Sequence, residues 1–140
     1  MTRTVLFPFL LVGLLFAFGC SSGNQPLSGK VTFSDDDSPV PLGTVYFNSP
    51  TSFSQGEIKS DGTYVVGTNK LTDGIPKGTY SVTVQSDEIT QIDSPDGSWT
   101  TKTTSLIDPR YNNAETSELT FTADGKMRTF NIQVERAPQK

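Results

Sequence analysis

Apolar and polar residues alternate in short runs along most of the chain beyond residue 27. In "SGKVTF", Val31 and Phe33 fall on one side and Lys30 and Thr32 on the other. Side chains of a strand point to opposite faces with period two, so this run predicts a half-buried strand. "GTVYFNS" repeats the pattern, with Val45 and Phe47 inward against Thr44 and Tyr46. In "GEIKSDGTYVVGT", Ile58 leads into an Asp61-Gly62 turn, and Tyr64 and Val66 share a face beyond it. Asp-Gly between alternating runs is a hairpin signal, because such turns need positive φ. "KGTYSVTVQ" sets Tyr80, Val82 and Val84 against Thr79, Ser81, Thr83 and Gln85. The closing "SELTFTADGKMRTFNIQV" alternates Leu119 and Phe121, turns at Asp124-Gly125, and alternates again through Phe130, Ile132 and Val134. No run in this part of the chain has a helical period. Six or seven short strands in about 110 residues predict an all-β fold, a seven-stranded antiparallel β-sandwich.

The alternation fails between residues 86 and 116. This stretch carries Asp87, Glu88, Asp93 and Asp96 and only scattered apolar residues. A structureless segment of that length inside a compact domain is commonly functional or disordered. The expectation is a mobile loop over residues 87–101, followed by a docked part in which Leu106, Ile107 and Tyr111 hold "SLIDPRY" to the sandwich. Trp99, at the boundary, and Tyr111 are the candidate ligand-binding residues, since aromatics exposed on loops stack on sugar rings or anchor a partner. The competing reading lays Trp99 over one end of the core, as large aromatics are mostly buried.

The first twenty residues follow a different rule. Arg3 precedes an apolar run over residues 5–18, and Cys20, the only cysteine, follows "AFG". The run is short for a bilayer span of ~20 residues, whereas a basic start, an apolar middle and a small residue at the exit describe a secretory signal peptide. "AFGC" followed by polar "SSGNQP" resembles a bacterial lipoprotein signal, in which cleavage precedes a cysteine bearing diacylglycerol. Gly19 fits the small residue before the cut, while Ala17 and Phe18 depart from the usual Leu and small residue. The resemblance implies a signal peptide over residues 1–19, lipidation at Cys20 and a flexible lipidated tether over residues 20–27. The acyl chains would supply a stable membrane anchor. Ser21, not Asp, after the cysteine implies the outer membrane where the cell has one. An uncleaved membrane segment and a secreted chain with an incidental cysteine are the other readings.

Composition narrows the chemistry. Histidine is absent from the 140 residues, which removes the commonest general base and metal ligand. A Ser-His-Asp arrangement and a zinc site are therefore unsupported. The net charge is −4, and −5 once Arg3 leaves with the leader, so nucleic acid is not an expected partner. "SDDDSP" offers Asp35, Asp36 and Asp37 to a hard cation, yet lacks the spacing, glycine and distal Glu of a calcium loop. It reads as a solvated turn. No catalytic residue, metal or cofactor is expected.

Taken in order, "SGKVTF…PVPLGTVYF…IKSDGTYVVGT…DGIPKGTYSVTV" resembles the carboxypeptidase regulatory-like domain, a transthyretin-like, immunoglobulin-like β-sandwich. The tail "LIDPRYNNAETSELTFTADGKMRTFNIQV" is similar to small bacterial lipoproteins holding one such domain. The resemblance spans residues 28–134, within a domain expected over residues 28–136. Gly29 and Gly43 are expected where a side chain would obstruct neighbouring backbone, and Tyr80 is expected to close one end by bonding a backbone group. The family implies a fold and a location, and no catalytic residue. The expected function is a non-catalytic, lipid-anchored cell-envelope protein with an interaction or structural module and an envelope protein or glycan as partner. The alternative is a glycan- or peptide-binding module acting through residues 86–116.

Overall fold

A computed structural model describes residues 23–138. The expected signal peptide, Cys20 and the first residues of the expected tether lie outside the described residues. Nine strands are present among those described: β1 Ser28–Phe33, β2 Gly43–Asn48, β3 Phe53–Ile58, β4 Thr63–Val65, β5 Gly78–Gln85, β6 Asp87–Asp93, β7 Trp99–Ser105, β8 Leu119–Ala123 and β9 Ile132–Val134. Seven of them build a sandwich, with one sheet in the order β4-β1-β9 and the other β3-β2-β5-β8. The expected all-β sandwich is thus present. One pairing departs from the antiparallel expectation: β1 and β9 run parallel, Val31 opposite Ile132 and Phe33 opposite Val134. The chain ends of the domain can therefore share a sheet without a hairpin joining them.

The inward residues of the alternating runs form the core. Val31, Val45, Phe47, Tyr64, Val66, Tyr80, Val82, Val84, Ile132 and Val134 are fully or almost fully buried. Phe47 sits at the centre. Its ring meets Tyr64 across the sheets and packs edge-on against Tyr80, Phe121 and Phe130, with centroids 5.9–6.4 Å apart, a favoured aromatic geometry. Two buried hydroxyls are satisfied by backbone: Tyr64 donates to Phe130 O at 2.5 Å and Tyr80 to Pro76 O at 2.9 Å. The Tyr80 bond closes the sandwich end as expected. Gly29 lies so near Phe130 that a Cβ would stand 1.9 Å from its carbonyl oxygen. Only glycine permits that approach, and the approach positions the carbonyl that Tyr64 binds.

Two expectations are corrected. The last residues of the tether belong to the domain: Leu27 is in the core, and Gln25 is buried and bridges Ile75. The Gln25 side chain donates to Met127 O at 2.8 Å and accepts from Gly125 N–H at 2.5 Å, so a polar residue that reads as linker is a clamp. Second, residues 87–105 are a regular β-hairpin rather than a loop. The docked part is as expected: Ile107 and Tyr111 are buried and Leu106 packs on the core.

The sandwich has two distinct poles. Residues 23–27 arrive at one, where β1 begins, β5 begins opposite the end of β8, and Gln25 touches the turn at residues 124–127. The other pole is reached along the eight residues of β5, about 25 Å away at ~3.3 Å per residue. There Gln85 passes through Ser86 into β6.

Candidate functional site

The hairpin β6–β7 is the feature that the packing of the domain does not explain. Its register runs from Asp87 opposite Ser105 to Asp93 opposite Trp99. The strands "DEITQID" and "WTTKTTS" are rich in β-branched residues, which suit a pleated backbone. The turn between them is closed by Ser94 N–H to Ser98 O at 2.7 Å and Gly97 N–H to Ser94 O at 3.0 Å. Gly97 supplies φ of 82°. Asp96 accepts from Ser98 Oγ at 2.6 Å and Ser98 N–H at 3.0 Å, and these bonds hold its carboxyl below the usual carboxylate range.

The hairpin is fixed at its base and free elsewhere. Ser86 is buried and donates from Oγ to Leu42 O at 2.6 Å, and its carbonyl accepts Leu106 N–H at 2.9 Å. Beyond the base, every residue from Glu88 to Asp93 and from Trp99 to Thr104 is exposed. Both strands have an outer edge with no partner among the described residues, and such edges are templates for pairing with another chain.

Side-chain alternation sorts the exposed groups. Ile89, Gln91 and Asp93 share a face with Trp99, Thr101 and Thr103, while Ile92 lies on the other with Thr100 and Lys102. Ile89 and Trp99 are 68% and 64% exposed, so the reading that laid Trp99 over the core does not hold. Acidic Asp87, Glu88, Asp93 and Asp96 outnumber Lys102. Sequence patterning picked out Trp99 and missed Ile89 and Ile92. Their signal was β-branched composition on both sides of "SPDG", not alternation.

Tyr111 has a different place. It follows Asp108, which caps the short 3-10 turn Pro109–Asn112. Its ring is buried, and its hydroxyl accepts from Arg110 Nη2 at 2.7 Å and Glu135 N–H at 3.3 Å. Arg110 also pairs with Glu135 at 2.9 Å. A ring so enclosed offers no face to a ligand, so Trp99 and Tyr111 do not form one surface. Tyr111 braces the loop against the end of β9.

The three aspartates are also engaged. Asp35 and Asp36 pair with Arg136 at 2.8 and 2.9 Å, and the Arg136 guanidinium lies 3.7 Å from the Phe33 ring centroid. Asp36 accepts from Ser38 Oγ and N–H, which, with Arg136, lowers its pKa to about 2. Asp37 accepts from Gln133. The turn is solvated, as expected, and its exposed aspartates are also tied to Gln133 of β9 and to Arg136 just beyond it. No group of three His, Cys, Asp or Glu side chains positioned to hold a metal occurs among the described residues. An open groove of about 670 Å³ runs along the outer face of β3, with Phe53, Val65 and Leu71 beside Glu57 and Lys59. It has mixed charge and no convergent polar set.

The fold and site thus define an all-β sandwich with an exposed, tryptophan-bearing hairpin at one pole. No family model matches the chain, and no curated protein matches it. Two solved structures are similar at low identity. One is the major pilin subunit of Bacillus cereus, at 13% identity over 83% of this chain and 30% of that chain, TM-score 0.45. The other is a 9R-lipoxygenase from Cyanothece PCC8801, at 10% identity over 78% of this chain and 16% of that chain, TM-score 0.34. The chain therefore spans less than a third of either protein. No helix among the described residues is long and apolar enough to cross a membrane.

Proposed function

We propose that this chain is a non-catalytic, lipid-anchored cell-envelope protein that presents the β6–β7 hairpin to an envelope protein partner. The observation that carries the reading is the hairpin itself. A two-stranded ribbon exposed on both faces contributes little to its own domain and is marginal in isolation. It nevertheless displays Ile89 and Trp99 on one face and two free backbone edges. Strand addition to such an edge draws affinity from main-chain bonds and specificity from alternate side chains. The hairpin also stands at the pole opposite the arriving N-terminal segment, where a tethered domain would hold it away from the membrane.

The anchor at Cys20, the carboxypeptidase regulatory-like affiliation and the outer-membrane location rest on the sequence resemblance. Glycan binding is the second reading, favoured by the exposure of Trp99 beside Gln91, Asp93 and Thr101. Immobilised full-length protein, offered detergent-solubilised envelope, is expected to retain a protein that Ile89→Ser/Trp99→Ala does not retain. Equal retention by the two would overturn the hairpin's role, and retention abolished by soluble glycan would favour the second reading. Labelling with an alkyne fatty acid tests the anchor: wild type is expected to label and Cys20→Ser is not.

A further inference from the structure

The pole opposite the hairpin carries its own pattern. Gln25, where the described chain arrives, is clamped between Ile75 on one side and the turn at residues 124–127 on the other. Each neighbour presents an exposed apolar side chain adjoining at least one cation. On one side is the loop between Gly67 and Gly74, with Leu71 at its tip, 87% exposed, next to Lys70. On the other is Met127, 54% exposed, between Lys126 and Arg128. Lys77 is exposed at the start of β5. Lys70, Lys77, Lys126 and Arg128 thus outnumber the acids beside them, Asp73, Asp124 and Glu57, the last of which shares the β3 groove with Lys70 and Leu71, whereas acids predominate on the hairpin.

The Leu71 loop is built rather than slack. Asp73 accepts backbone N–H bonds from Thr68, Asn69 and Lys70 at 2.6–3.2 Å. Thr68 Oγ1 donates to Gly74 O at 2.7 Å, and Thr72 adopts φ of 68°. This frame spends the local polar groups on fixing the loop while its leucine stays in solvent. Two of the acids that could offset the cations, Asp73 and Asp124, have their carboxylates turned to backbone N–H groups, Asp124 to Lys126 N–H at 2.9 Å.

We propose that this pole docks on the surface of an anionic phospholipid bilayer, with Leu71 and Met127 entering the headgroup layer and the four cations facing lipid phosphates. The commitment to a bilayer comes from where the chain leads. The apolar run ends at residue 18 and Cys20 follows two residues later. Five residues from Cys20 to Gln25 reach at most about 17 Å when extended, so an anchor there keeps this pole, and not the hairpin, within reach of the headgroups. Cationic groups beside exposed apolar side chains suit such a surface, and their attraction falls off over a Debye length of ~8 Å at physiological salt. The inference rests on the anchored reading, and it fixes the orientation that reading leaves open.

The test uses the full chain reconstituted into phosphatidylcholine vesicles with and without phosphatidylglycerol. Leu71→Trp in a Trp99→Phe background places a reporter on the pole, Met127→Trp in that background gives a second, and wild-type Trp99 reports the hairpin. In anionic vesicles the pole reporters are expected to shift to the blue and be quenched by brominated lipid, with Trp99 unquenched. Raised salt or Lys126→Glu/Arg128→Glu should abolish the pole signal. Protein that sediments with vesicles while both pole reporters stay unquenched overturns the docking and leaves the anchor standing. Protein that does not sediment with vesicles at all overturns the anchor as well. Shielding of the pole reporters that depends on protein concentration, without lipid quenching, assigns the face to a second copy and also overturns it.

Discussion

If the hairpin serves a partner and not its own domain, its removal should leave the sandwich intact. Asp87 pairs with Ser105 at the base, so residues 88–104 can be replaced by Gly-Gly, a two-residue turn that fits an antiparallel pair. The three-residue contact of Ser86, Leu106 and Leu42 is retained. Two terms set the magnitude. Shortening the connection from roughly seventeen residues to two is about three halvings, each lowering closure cost by about 0.6 kcal/mol, or near 2 kcal/mol in favour of the variant. Against this stands the apolar burial inside the hairpin. Ile89, Ile92 and Trp99 are 68%, 46% and 64% exposed, so each forfeits no more than about half of the ~1.5–3 kcal/mol that full burial brings. That burial is local to the segment and is offset by the chain entropy no longer lost in ordering it. The expected net change is within about 1 kcal/mol of zero. Urea unfolding of residues 23–140 and of the shortened chain measures it. The midpoint and the slope should both stay close to the parent, since the slope follows the surface exposed on unfolding. A loss above about 3 kcal/mol, the size of a core truncation, would refute the reasoning and make the hairpin part of the fold.

Other outcomes follow from the core and the charges. Phe47→Ala removes the ring that four other aromatics pack around and should cost about 3–5 kcal/mol in the urea midpoint. Tyr64→Phe should cost about 1–3 kcal/mol, because it leaves the Phe130 carbonyl without its hydroxyl donor. Asp36 has its folded pKa depressed to about 2, so its contribution is present above the ordinary value of about 4 and disappears as pH falls towards 2. Acid unfolding of Asp36→Asn should therefore be shallower between those pH values than that of wild type, and identical limbs would remove the aspartate from the account.

Most of the sandwich was legible because one side of each strand is buried. Val31 and Phe33, Tyr80 to Val84, and Ile132 with Val134 declare their faces by alternation. In β3 the same rule is obscured: its inward positions are Ser54, Gly56 and Ile58, and Gly56 is small because the Tyr64 ring would stand 2.9 Å from a Cβ there. Alternation identifies a strand only by contrast between a dry and a wet face. The hairpin has no dry face, so its residues carried no periodic signal and read as loop, even though Thr, Ile and Trp favour extended backbone. Gln25 was missed for a related reason. It is a polar residue whose burial depends on two backbone groups contributed from near residue 125, about a hundred positions away, and no local pattern records such partners. Tyr111 and Trp99 looked alike in sequence, as aromatics in an irregular stretch. Only the packing of Tyr111 beneath Arg110 and Glu135 separates them.

The claim that the hairpin is the contact surface is tested most directly by photo-crosslinking in intact cells that express the full chain. A benzophenone side chain at Thr101 lies on the face shared by Ile89 and Trp99, and one at Thr120 lies on the exposed outer face of the four-stranded sheet. Irradiation is expected to yield a discrete protein adduct from position 101 that is absent from position 120 and is lost with Ile89→Ser. No adduct at position 101, or the same adduct from both positions, would contradict the account.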